Sequence, residues 1–152
     1  MSPRQKRIEK VVTHRGKELD KRVAELNAQK QRELEAKRMA EAEREELLRA
    51  SESRLKLAEA TISATSWIEA NEWLKTRAAK SELAETQAIR AKASTQRARA
   101  EVLNARADLK KLEVLSERIG TEERSREERV ARRLEDEIAA LRFAADRGNG
   151  QK

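Results

Sequence analysis

Apolar side chains in this sequence fall in single file. Ile8, Val12, Leu19, Val23 and Leu26 stand at steps of four, seven, four and three, which on a helix sets them along one narrow stripe, too thin to close a globular core. Leu34, Leu48, Leu55 and Ile62 continue at multiples of seven, with Glu41 in the intervening slot, and are read as the same seam. Between Asn27 and Glu46 the seam thins to Leu34, Met39 and alanines, which predicts weak packing there. A disordered chain would also be poor in apolar residues, but this one has one proline and four glycines, and its 41% charged residues alternate in sign along Ala, Leu and Gln. Those are strong helix formers, so long helices are expected. Aromatic residues make up only 2% of the chain, which leaves a two-helix seam as the natural core. The predicted fold class is all-α: two long helices forming an antiparallel coiled-coil hairpin, one unit over residues 1–152.

The break between the helices is placed in Thr61–Leu74, T-I-S-A-T-S-W-I-E-A-N-E-W-L. Thr61, Ser63, Thr65 and Ser66 can bond to nearby backbone and so compete with helix continuation. Ser66 followed by Glu69 has the spacing of a capping box. The expected layout is helix one over about 3–62, a turn over 63–66, helix two over 67–146, and a frayed tail over 147–152 with Gly148 and Gly150. Pro3, the only proline, suits a first helical turn, with Ser2 as its cap.

Helix two carries a seam of Trp67, Leu74, Ala78, Ala84, Ala88, Ala91, Ala98, Val102, Ala105, Leu109, Leu112 and Ile119. A polar stretch follows, and then Val130, Leu134, Ile138 and Leu141 resume the stripe. Helices of about 60 and 80 residues joined at 63–66 cannot match in length, so helix two is expected to overrun helix one by roughly Arg126–Asp146. An apolar stripe on an unpaired helix invites a partner.

Catalytic and cofactor chemistry find little support. There is no cysteine and only one histidine, His14, so no thiolate or paired-imidazole metal site is expected. Carboxylates such as Glu45, Glu46, Glu135, Asp136 and Glu137 lie among arginines at helical spacing, which is explained by ion pairs along a helix. No glycine-rich phosphate loop occurs. The expectation is a non-enzyme without cofactor. Residues 1–38 hold twelve Lys and Arg against six Asp and Glu, a surplus of six in a chain of net charge +7. That basic arm could neutralise phosphates, but Glu9, Glu18, Asp20 and Glu25 interrupt it and no stacking aromatics accompany it, so nucleic-acid binding is not expected. No apolar run is long enough to span a bilayer and no secretory signal opens the sequence, which predicts a cytoplasmic protein without membrane insertion.

Trp67 and Trp73 are six residues apart, roughly 240° on a helix, so one can pack inward while the other faces out. Trp67 is expected to plug the hairpin near its break, and Trp73 to be partly exposed.

The segment I-S-A-T-S-W-I-E-A-N-E-W-L, with K-K-L-E-V-L-S-E-R-I and E-E-R-S-R-E-E-R-V-A-R-R-L-E-D-E-I-A-A-L-R-F further on, resembles the stalk family of type III secretion systems, the flagellar FliJ proteins and their injectisome counterparts of the YscO type. The injectisome branch is favoured. The resemblance implies a non-catalytic cytoplasmic stalk, peripheral to the secretion apparatus at the inner membrane. It implies that the end carrying both termini enters the pore of the hexameric secretion ATPase and promotes its assembly and hydrolysis, through Arg4, Arg7, Ile8, Val130, Arg133, Leu134, Ile138 and Leu141. It also implies that the other end, with Leu48, Leu55, Trp67 and Trp73, reaches the export-gate membrane protein or export chaperones. Trp73 stands where the flagellar branch carries a gate-binding aromatic, although Arg77 and Lys80 replace apolar or small residues beyond it. The alternative is a coiled-coil scaffold or adaptor without an ATPase partner, or, less favoured, a basic nucleic-acid-binding arm.

Overall fold

The computed structural model describes residues 2–150. Two helices account for nearly all of them: α1, Pro3–Glu59, and α2, Ala64–Asn149. The chain is all-α, a hairpin of two long helices, and it divides into two compact units, Leu19–Ala105 and Met1–Glu18 with Arg106–Lys152.

In the unit Leu19–Ala105 the helices run antiparallel: Arg22 bonds Glu101 at 2.6 Å, Arg44 bonds Glu85 at 2.7 Å and Arg77 approaches Glu43 at 3.5 Å, so rising numbers on α1 meet falling numbers on α2. The centre of packing is Leu26 with Ala98 and Val102, backed by Leu19 and Val23. Away from it the interface is built from small side chains, with Ala40, Ala50 and Ala84 buried. Alanines let the helices approach closely but remove little apolar surface from water, on the order of 25 cal/mol per Å².

The seam of α1 departs from expectation. Leu34, Leu48 and Leu55 are 42%, 59% and 67% exposed. The positions turned inward are Glu33, Ala36, Ala40, Glu43, Leu47, Ala50, Arg54 and Leu57. They continue from Leu26 through Gln29 by alternating steps of three and four, and Leu34, Leu48 and Leu55 trail that row by one residue, about 100° around the helix. Leu26 packed on Val102 fixes the phase, and small Ala36, Ala40 and Ala50 occupy the interface where leucines were expected. On α2, Ala78 is likewise exposed, and Arg77 and Ser81 take the inward positions. Thr95, 2% exposed, sits between Ala91 and Ala98. Its hydroxyl lies 3.1 Å from the Ala91 carbonyl and 3.2 Å from the Gln29 carbonyl on α1, two acceptors for one proton.

The break also lies earlier than expected, at 60–63. Ser63, not Ser66, is the cap: its Oγ accepts from the Ser66 N–H at 3.2 Å, and its carbonyl accepts from the Trp67 N–H at 3.2 Å. Ser66 is thus already in the first turn of α2, and its hydroxyl meets that of Ser63 at 2.9 Å. Glu69 has no free cap N–H to reach back to. At the other end α2 continues to Asn149, past the expected limit at 146, because Gly148 keeps a right-handed conformation. The rest of the expected tail, 151–152, falls outside the described residues.

In the unit Met1–Glu18 with Arg106–Lys152, α1 opens with a complete capping box. The Gln5 N–H donates to Ser2 Oγ and the Ser2 N–H donates to Gln5 Oε1, both at 3.2 Å. Pro3 takes the first helical position, where a missing N–H costs nothing. Gln5, Ile8, Val12 and Gly16 turn toward α2, and Leu109, Leu112, Ser116, Ile119 and Glu123 turn toward α1. A Cβ on Gly120 would stand 3.3 Å from Gln5 Nε2, so the helices are close here. The Ser2 hydroxyl also bonds the Glu123 carboxylate, which marks where α1 begins on α2.

Candidate interaction surfaces

Beyond Glu123, α2 has no neighbour among the described residues. Every residue of 124–150 is exposed, with Val130, Leu134, Ile138 and Leu141 at 50%, 55%, 50% and 71%. Steps of four, four and three gather these four side chains on one helical face, and Arg133 stands exposed beside Leu134. Apolar side chains at regular spacing on an exposed helix form a surface stripe rather than a core. Arg4 and Arg7 are exposed on the first turns of α1. Ile8 is half-buried on the row with Gln5 and Val12, so it belongs to the helix interface more than to the free surface.

The second surface lies in the other unit, beside the break. Trp67 is half-buried and lines a groove of about 350 Å³ with Ser51, Arg54, Leu55, Ala58 and Leu74. Arg54 comes from α1 to within 5.3 Å of the Trp67 ring centre, an interaction worth roughly 0.5–1 kcal/mol at an accessible site. Leu55 and Trp67 are therefore brought together, whereas Leu48 stands apart on the exposed row seven residues before Leu55. Trp73 faces outward at 52% exposure, with the Arg77 guanidinium 4.5 Å above its ring. Arg77 is also the donor to Glu43, and both side chains are largely covered, at 18% and 22% exposure. Its Nε is buried with no partner among the described residues. The inward Trp67 and outward Trp73 agree with their angular separation.

The charge pattern around these surfaces is that of solvated ion pairs. His14 meets Glu18 at 3.1 Å one turn on, both well exposed. Arg44 is held more firmly protonated than usual, first by its hydrogen bond from the guanidinium to Glu85 and then by that carboxylate's charge. Among the described residues no group of His, Cys, Asp or Glu could hold a metal ion, and no helix is long and apolar enough to cross a membrane. One surface escaped the sequence reading: Val114 and Leu115 are exposed on the outer side of α2, in a groove ringed by Lys110, Lys111 and Arg118. Its signal was hidden by the near-continuous charge around it. No family model matches the chain, and no curated protein or solved structure matches it either.

Proposed function

We propose that this chain is the non-catalytic central stalk of a type III secretion ATPase. The observation that supports this most is the run 124–149, a helix exposed on every side with Val130, Leu134, Ile138 and Leu141 on one face. In this reading that face, with Arg133 and with Arg4 and Arg7 of α1, meets subunits lining the ATPase pore. One helix in a six-fold ring touches its neighbours unequally, and differential contact shifts their nucleotide states. The surface around Trp67, Trp73, Leu48 and Leu55 is the candidate for the export-gate protein or an export chaperone. The site of action would be the cytoplasmic side of the inner membrane, and the injectisome branch remains the favoured assignment.

The test is to mix the protein with a cognate secretion ATPase and follow hydrolysis and hexamer formation together. Both are expected to rise. Leu134→Asp with Ile138→Asp is expected to abolish the rise while helicity by circular dichroism stays unchanged, and undiminished stimulation by that variant would remove the pore assignment. Trp73→Ala is expected to impair gate or chaperone capture and leave stimulation intact. A second reading, a scaffold or adaptor without an ATPase, draws on the exposed row of Leu34, Leu48 and Leu55. It gains ground if an active ATPase is unaffected by the protein.

A further inference from the structure

The uncovered helix has a shape that fits itself. It begins after Glu123, where the Ser2 hydroxyl is bonded, and ends at Asn149, about 39 Å at 1.5 Å per residue. Along it Ala131, Leu134, Ile138, Leu141 and Ala145 recur at steps of three, four, three and four, the spacing of a coiled-coil seam. At 100° per residue this row points within roughly 40° of the side on which α1 covers Leu109, Leu112 and Ser116. It therefore continues the groove that α1 leaves empty.

We propose that a second copy of this chain fills that groove, its own α2 lying antiparallel across residues 124–149 with a two-fold axis beside Asp136. Two observations converge on this axis. The centre of the apolar row is symmetric about it: Leu134 comes opposite Ile138 of the copy and Ala131 opposite Leu141 of the copy, each twice, while Ala145 comes opposite Glu127 of the copy. The flanks also agree: Glu128 falls beside Arg142 of the copy on one side, and Val130 beside Ala144 of the copy on the other. A parallel pairing is ruled out by α1, which occupies the side where the copy's α2 would have to continue.

The axis also limits the strength of the contact. Glu135 and Glu137 each face their own copies there, and like charges opposed across a seam weaken it. The pairing is isologous and closes on itself, so it gives dimers and no larger series. It stands independently of the stalk reading, since it requires only this chain.

The experiment is sedimentation equilibrium of the full chain alone, from about 1 to 500 µM. A monomer–dimer equilibrium is expected. Arg142→Glu should weaken it at least tenfold, and Glu128→Arg combined with Arg142→Glu should restore it. These residues lie about 21 Å apart along one helix, so restoration can come only through another chain. Glu135→Gln with Glu137→Gln should tighten the dimer. Orientation is read with spin labels on single cysteines in this cysteine-free chain: Glu135→Cys, beside its own copy, should give a short separation between copies, and Arg147→Cys one of about 33 Å or more. A monomer at the highest concentration, a charge swap that fails to restore, or short separations at both labels overturns the proposal. Loss of self-association with ATPase stimulation intact sinks this inference alone. A dimer without stimulation sinks the stalk reading alone.

Discussion

Arg77 stacks on Trp73 at 4.5 Å and bridges to Glu43 of the other helix at 3.5 Å, so an outward-facing tryptophan is tied to the interface through one guanidinium. Both partners of the ion pair are largely covered, and removing Arg77 leaves the Glu43 carboxylate without its cation. Arg77→Ala is expected to lower stability by about 1–2 kcal/mol. It should also change the Trp73 emission. The shorter pair, Arg22 with Glu101 at 2.6 Å, is about half exposed on both sides, and Arg22→Ala should stay within about 0.5 kcal/mol. Urea melts of the two variants decide whether cover outweighs distance.

The phase of the helix interface can be tested with two leucines. Leu26→Ala removes a side chain packed on Val102 and Ala98 and is expected to cost about 2–3 kcal/mol, the low end for a core leucine because the neighbouring layers are thin. Leu48→Ala, at 59% exposure, should change stability by less than about 0.5 kcal/mol. Equal losses would return Leu48 to the seam.

The leucine row also shows where the sequence was legible and where it was not. Helix type, the two-helix plan and the overrun of α2 follow from spacing and length, and Trp67 and Trp73 were separable by angle alone. The register beyond Leu26 was not. Ala36, Ala40 and Ala50 are too small to register as a seam, while Leu34, Leu48 and Leu55 share its period one residue out of phase. Arg77 and Glu43 were invisible for a related reason, since charged residues on the inward row look like any others until the opposite helix is in place. The break moved because four hydroxyl residues competed for one cap. Ser63 holds it, with Ser66 three residues on, where its N–H is the one in need of an acceptor.

That cap gives a third prediction. Ser63→Ala should cost about 1 kcal/mol, the usual loss of a side-chain N-cap. Ser66→Ala, which removes only a hydroxyl contact at the first turn, should cost less than half of that. Thermal melts followed by helix signal are sufficient, and a larger loss from Ser66→Ala would restore the later break.

Gly16 offers a fourth. It sits inside α1, and a Cβ there meets nothing within 4 Å. Gly16→Ala should therefore raise stability by roughly 0.5–1 kcal/mol through the cost glycine carries in a helix interior. A rise in melting temperature without change in association state is the expected result.

The bond between Ser2 and Glu123 sets a measure as well as a start. Since α1 begins there, one heptad of compatible sequence added ahead of Pro3 would cover about 10 Å more of α2, and one removed would free as much. The reach of the bare helix is thus set by the first turn of the opposite one. It can be lengthened or shortened without altering a single residue of the face it presents.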